Sequence, residues 1–258
     1  MQKPQVIISL TSFPAAIPYA TRAIQSLLES SVLPDKIVLY LTYAQFPESK
    51  VPQVLLEMAE NNKIFEIRNY DDEIRSYRKL LPALKDFPEA AIVTVDDDVW
   101  YHKHMLRDLL TWHEQMPNMI IAHRAKHIKA NAPYRQWAKY RWYHFLFKKL
   151  QPSFMNLSTG VGGVLYPPHA LRTDMIEEFR ALVPTNDDFG FWAAAVINGT
   201  KILPVPFGPH NKPRGLKKPK ELSLKTTNFK SGVDVNRKAF EEIVEKYPEI
   251  KKRIQNYG

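Results

Sequence analysis

Four strand-like apolar runs, each separated from the next by a segment of helical spacing, fill the first hundred residues. This rhythm constrains the fold more than any other feature of the chain. The runs are "VIISLTS" (6–12), "KIVLYLT" (36–42), "KIFEIRNY" (63–70) and "AIVTVDDD" (91–98). Between them lie "PYATRAIQSLLES" (18–30), "VPQVLLEMAEN" (51–61) and "EIRSYRKLLPAL" (73–84), whose apolar residues recur at helical intervals. A β-α-β-α-β-α-β order predicts an α/β domain, a mostly parallel twisted sheet with helices on both faces. Ligands of such sheets sit beyond the carboxyl ends of the strands.

After Tyr101 the rhythm loosens. The sequence predicts a helix over 102–116, a strand over 118–126 and a glycine-broken strand within 153–171. A helix over 186–199, a last strand over 200–207 and an amphipathic helix from Asn236 to Gln255, broken at Pro248, complete the reading. No repeat or low-complexity linker divides the chain. One domain over 1–258 is expected, with a regular half (1–101), an elaborated half (102–235) and a terminal helix (236–258).

The 258 residues contain no cysteine, which excludes disulfides and thiolate metal sites. The apolar run at the N-terminus is too short for a signal peptide, and no stretch approaches the ~20 apolar residues of a membrane span. A cytoplasmic location is expected, and the sequons at Asn156 and Asn198 read as chance matches. The net charge of +9 is unevenly spread. No acidic residue falls between Glu114 and Asp174, whereas Arg124, Lys126, Lys129, Arg135, Lys139, Arg141, Lys148, Lys149 and Arg172 do. A second basic stretch runs from His210 to Lys225. This asymmetry implies an anionic partner.

The fourth strand ends in Asp96, Asp97 and Asp98, followed at once by Val-Trp-Tyr. Adjacent carboxylates repel one another unless a cation or protons screen them. Alternation along an extended chain lets Asp96 and Asp98 converge while Asp97 points elsewhere. Oxygen donors of this kind suit Mg²⁺ or Mn²⁺. A solvated turn whose acids cap the next helix is the plainer alternative.

"VTVDDDVWY" resembles the Asp-x-Asp motif of glycosyltransferases with the GT-A fold, family-2-like and of the bacterial surface-polysaccharide type. The resemblance spans most of residues 5–215. It implies a nucleotide-binding half over 1–101 and a metal, Mn²⁺ or Mg²⁺, held by Asp96, Asp98 and His210. The donor would be a nucleoside diphosphate sugar, a UDP-sugar by preference, contacted by Thr11, Ser12, Asp97, Lys212, Arg214 and either Arg78 or Lys79. "STGVGGVLYPP" (158–168) is similar to the family's acceptor strand, where Gly162 and Gly163 would admit a sugar ring beside Trp192. "PTNDDFGFW" places Asp187 and Asp188 at a helix start, where inverting members carry their base. Asp188 is the expected base, with Asp187 as its partner or as the helix cap.

The aromatic and basic stretch 134–150 fits two structures. As a helix on anionic lipid it would serve a lipid-linked acceptor at the inner face of the membrane. Its aromatics circle such a helix, however, which suits a packed element with a basic edge. Two other activities share features of the chain. Nucleotidyl transfer also uses paired aspartates but brings a glycine-rich phosphate loop, and "SLTSFPAAIP" has no glycine. A nucleic-acid-binding module would explain the charge but neither acidic cluster, so no nucleic acid is expected.

Overall fold

The computed structural model describes residues 4–147, 150–208, 210–219 and 234–257. Seven strands form one mixed sheet: β1 (Val6–Thr11), β2 (Lys36–Leu41), β3 (Phe65–Asn69), β4 (Ala91–Thr94), β6 (Ile120–Ala122), β10 (Val164–Tyr166) and β11 (Ile202–Pro204). Their order is β11-β6-β10-β4-β1-β2-β3. The first four run parallel, as the β-α rhythm requires, and β10 enters antiparallel to both β4 and β6. A two-stranded ribbon joins β5 (Val99–Trp100) to β12 (Arg214–Gly215). A third, small sheet pairs β7 (Ala125–His127) with β8 (Ala138–Lys139) and β9 (Asn156–Ser158).

Strand residues alternate between two cores. On β1, Ile7 faces one core while Ile8 and Leu10 face the other. The second core is closed by α1 (Ile17–Leu28), α2 (Gln53–Asn61) and α4 (Met105–Gln115) through Ile24, Leu27, Leu55, Leu106 and Leu109. Both faces being covered explains why the strands read as continuous apolar runs. The first core receives α3 (Leu81–Asp86), α5 (Ile176–Leu182), α6 (Asp187–Asn198), α7 (Val235–Lys246) and α8 (Pro248–Tyr257). Helix α6 is apolar all round because it lies inside this core, with Phe189, Phe191 and Trp192 buried; each such ring contributes about 1.5–3 kcal/mol. Gly199, at φ 86°, ends it in the left-handed conformation.

Three local readings differ from the sequence. The segment 73–84 is a 3₁₀ stretch (Arg75–Lys79) followed by α3, because Leu80 leaves helical geometry before Pro82. Helix α5 has no counterpart in the sequence reading. The aromatic stretch is not one helix: Tyr134–Gln136 is a turn, Ala138–Lys139 a strand and Trp142–Phe147 a 3₁₀ stretch. Its aromatics divide accordingly. Trp137 is core, packed edge-on to Phe189 and Phe240, whereas Trp142 and Tyr143 are exposed. Lys148, Lys149 and the end of the second basic stretch lie outside the described residues. Among the described residues no helix is long and apolar enough to cross a membrane.

Candidate active site

Topology brings distant segments together above the carboxyl end of β4. Because β10 runs antiparallel, its first residue Val164 pairs with Thr94, the last of β4. The turn that precedes β10, Gly160–Gly162, therefore stands beside Asp96. Tyr77, fully buried in the 3₁₀ stretch, donates its hydroxyl hydrogen to the carbonyl of Val183 at 3.0 Å, near the start of α6. Gly190 makes this docking feasible, since a Cβ there would lie 2.3 Å from the Tyr77 oxygen.

Lys79 is the hinge of the site. Its Nζ lies 3.0 Å from Asp96 Oδ1 and 2.9 Å from Asp187 Oδ2. The second contact is a close ion pair, and it compensates the burial of Asp187 Oδ2. Burial alone would lower the Lys79 pKa. The carboxylates of Asp187, Asp96 and Asp188 outweigh it and hold the ammonium well above its ordinary range. A Cβ on Gly160 would sit 2.6 Å from Lys79 Nζ and 2.8 Å from Asp96 Oδ1, so this glycine is required by the ion pair itself.

Each strand-end aspartate has a partner. Asp97 accepts a hydrogen bond from Ser12 Oγ at 2.6 Å and lies 3.3 Å from Lys218 Nζ. Asp98 lies 3.2 Å from the same ammonium and is the most exposed of the three. Burial raises the Asp97 carboxyl, opposed by Lys218 and the Ser12 bond. The backbone N–H of Asp96 donates to the Tyr101 hydroxyl at 2.8 Å, and Leu216 N–H donates to the Asp98 carbonyl at 2.7 Å. These bonds fix the strand end and the segment that carries Lys218.

Asp188 differs. Its Oδ1 accepts from the Gly160 N–H at 3.2 Å, and among the described residues it has no ion-pair partner. Burial, then the neighbouring charge of Asp187, raises its carboxyl to about 7, with Lys79 and the Gly160 bond pulling the other way. Tyr134 stands close enough for the Asp188 charge to add to the burial that pushes its phenol up to about 12. Lys126 lies over the Tyr134 ring at 3.2 Å.

Several expected residues stand elsewhere. Arg78 points back to the Asp72 carbonyl (3.2 Å), so Lys79 is the cation that meets the aspartates. The Thr11 hydroxyl is bonded to the Tyr40 carbonyl at 2.9 Å. Trp192 is a core residue: its ring is enclosed and its N–H is held by the Phe154 carbonyl at 2.7 Å. Gly162 is packed against Arg124 and His123, and Gly163, at φ 88°, against Met105, so packing accounts for both. His210, Lys212 and Arg214 line a cleft with the last turn of α1, and the aspartates do not border it. Lys218, Gly160, Tyr77 and Tyr101 escaped the sequence reading. Lys218 lies inside the basic stretch it noted, and Gly160 two residues before the first of the glycines it chose.

The donor set fits a hard divalent ion in part. Among the described residues no three His, Asp or Glu side chains converge on one point. The ion would take one or two carboxylates and complete its shell with phosphate oxygens and water, as Mg²⁺ commonly does. Lys218 places a positive group between Asp97 and Asp98.

No protein-family model and no curated protein matches the chain. Solved structures do. TarS residues 1–349 from S. aureus superposes with a TM-score of 0.59 at 15% identity, over 98% of this chain and 66% of that one. The same protein in complex with UDP gives 0.56 at 14% identity. The likeness is one of fold. A mannosyltransferase, PcManGT from Pyrobaculum calidifontis, in complex with GDP-Man and Mn²⁺, gives 0.52 at 12% identity over 80% of this chain. The present chain spans 66% of the TarS structure and 56% of the mannosyltransferase. It therefore has a GT-A-like α/β fold.

Proposed function

We propose that the chain is a nucleotide-sugar-dependent glycosyltransferase that moves a sugar from a nucleoside diphosphate, UDP by preference, to a hydroxyl of a glycan or lipid-linked acceptor. One observation carries the reading: Lys79 joins the strand-end acids to the helix-start acids, 3.0 Å from Asp96 and 2.9 Å from Asp187, beyond the carboxyl end of β4. That is the place where sheets of this class bind ligands. The complexes of the similar structures with UDP and with GDP-Man and Mn²⁺ support a donor of this kind.

Asp96 and Asp98 would hold Mn²⁺ or Mg²⁺, which would supply positive charge to the leaving diphosphate. Lys79 and Lys218 add fixed positive potential beside it, the role the resemblance implied for Lys212, Arg214 and Lys79. Ser12 orients Asp97. Asp188, which has no ion-pair partner among the described residues, accepts the proton of the acceptor hydroxyl. The acceptor oxygen then bonds to the anomeric carbon, and the bond from that carbon to the phosphate oxygen breaks. The electron pair leaves on the diphosphate, and the anomeric centre inverts. Asp187, held by Lys79, stays beside Asp188 and keeps its proton affinity high.

The test is thermal stabilisation of the protein by UDP- and GDP-linked sugars with and without Mn²⁺. Stabilisation that needs both the diphosphate and the ion, and that vanishes in Asp98→Ala, is expected. Equal stabilisation by all nucleotides without metal contradicts the donor site.

A further inference from the structure

A cleft of about 470 Å³ opens on the flank of α1, between its last turn and the β5–β12 ribbon. It is not the region of the strand ends. Ser26, which lines it, lies nine residues along α1 from Ile17, about 13 Å down the helix at 1.5 Å per residue. The Tyr101 side chain separates it from the aspartates: the residue borders the cleft, while its hydroxyl accepts the Asp96 N–H.

The lining is cationic. Lys103, Lys212 and Arg214 enter it with the imidazoles of His102 and His210. None of the three long cations has an ion-pair partner among the described residues. The one acid, Glu29, accepts a hydrogen bond from Gln25 at 3.1 Å. Three features fix the backbone segments that carry these exposed cations. Arg214 is opposite Trp100 in the ribbon, the Lys103 carbonyl accepts the Ser31 N–H at 2.8 Å, and Asn211 bonds to Asp108 on α4 at 3.4 Å. Like charges gathered without counter-ions are unfavourable by themselves and become favourable when an anion enters.

We propose that this cleft is a binding site for a phosphate group, monoester or diester, separate from the donor diphosphate. Arg214 would bind the phosphate as a fork, Lys103 and Lys212 would act as point charges, and the Trp100 ring would floor the site. The group could belong to a phosphorylated acceptor chain or to a lipid headgroup, since both present the same oxygens. The ribbon makes the site relevant to the reaction. Two residues past Arg214, Leu216 is bonded to the Asp98 carbonyl, and Lys218 follows against Asp97 and Asp98.

The experiment is calorimetric titration of the full chain with inorganic phosphate, first alone and then saturated with UDP and Mn²⁺. Phosphate is expected to bind both forms. Lys103→Glu, an exposed change, should weaken it roughly tenfold or more while leaving UDP affinity as it was. Arg214→Glu should weaken phosphate binding at least as much. Sedimentation with phosphatidylcholine vesicles, with and without phosphatidylglycerol, separates the sources. Binding to the anionic vesicles that Lys103→Glu abolishes assigns a headgroup; phosphate binding without vesicle binding assigns a soluble phosphorylated chain. Phosphate that competes with UDP, or that binds both variants as tightly as the parent, overturns the proposal. Failure of UDP to bind while phosphate binds would sink the donor reading and leave this one standing.

Discussion

The two acidic centres of this molecule are built from the same residue type and treated oppositely. At the end of β4 every aspartate has a partner: Lys79 for Asp96, Ser12 and Lys218 for Asp97, Lys218 for Asp98. At the start of α6 one aspartate is neutralised by Lys79, and the other has, among the described residues, a single backbone N–H. A carboxylate that must stay charged to meet cations and phosphates is best kept among cations. One that must take up a proton near neutrality has to be denied them. Lys79 belongs to both centres and decides which carboxylate is left over.

The comparison breaks most readily at Asp188. Asp188→Asn should lower nucleotide-sugar turnover by about 10²–10⁴-fold, the usual worth of a general base. Asp97→Asn, which still accepts from Ser12, should lose less. Equal losses would erase the distinction between the centres.

Removing the shared cation comes next. Lys79→Met leaves the buried Asp187 and the half-buried Asp96 without their counter-ion and should cost about 3–5 kcal/mol in denaturant unfolding. Lys218→Met, one of whose partners, Asp98, is partly exposed, should cost less, because solvent screens part of the charge left behind.

Proton linkage sharpens the contrast. The folded protein keeps the Asp188 proton up to about pH 7, whereas the unfolded chain releases it near the ordinary value of 3.8. Between these values the folded state binds more protons, so stability falls as pH rises from about 4 to 7 and levels above that. Asp97, also raised, acts in the same direction. Asp188→Asn should flatten most of this slope and be ~1–3 kcal/mol more stable than the parent at pH 8. Its activity loss would then accompany a gain in stability, which no unfolding defect could produce.

A last effect concerns the join. Gly160→Ala drives a methyl group against Lys79 and Asp96 and should cost about 1–3 kcal/mol. Gly215→Ala, where a Cβ meets nothing within 4 Å, should stay within about 0.5 kcal/mol.

Much of this was legible in the chain because local rules governed it. The four parallel strands follow from apolar runs set at the spacing of βα units, and Asp96–Asp98 fall at a strand end by counting. Asp187 and Asp188 announce themselves as acids opening a helix. What local reading misses is pairing across long separations. Nothing near Lys79 distinguishes it from Arg78; the choice is made by Asp187, more than a hundred residues away. Gly162 and Gly163 looked like the glycines that mattered, yet the antiparallel entry of β10 puts Gly160 against the ion pair. The resemblance put Trp192 beside the acceptor sugar, but α6 is buried on all sides. His210, Lys212 and Arg214 follow the last strand of the sheet, and the ribbon with β5 carries them to the flank of α1.

Carbon-13 NMR of aspartate carboxyls, followed through a pH titration of the folded protein, tests the division between the two centres most directly. One resonance with a midpoint near 7 that disappears in Asp188→Asn is expected. A protein in which every aspartate titrates below about pH 5 would contradict it.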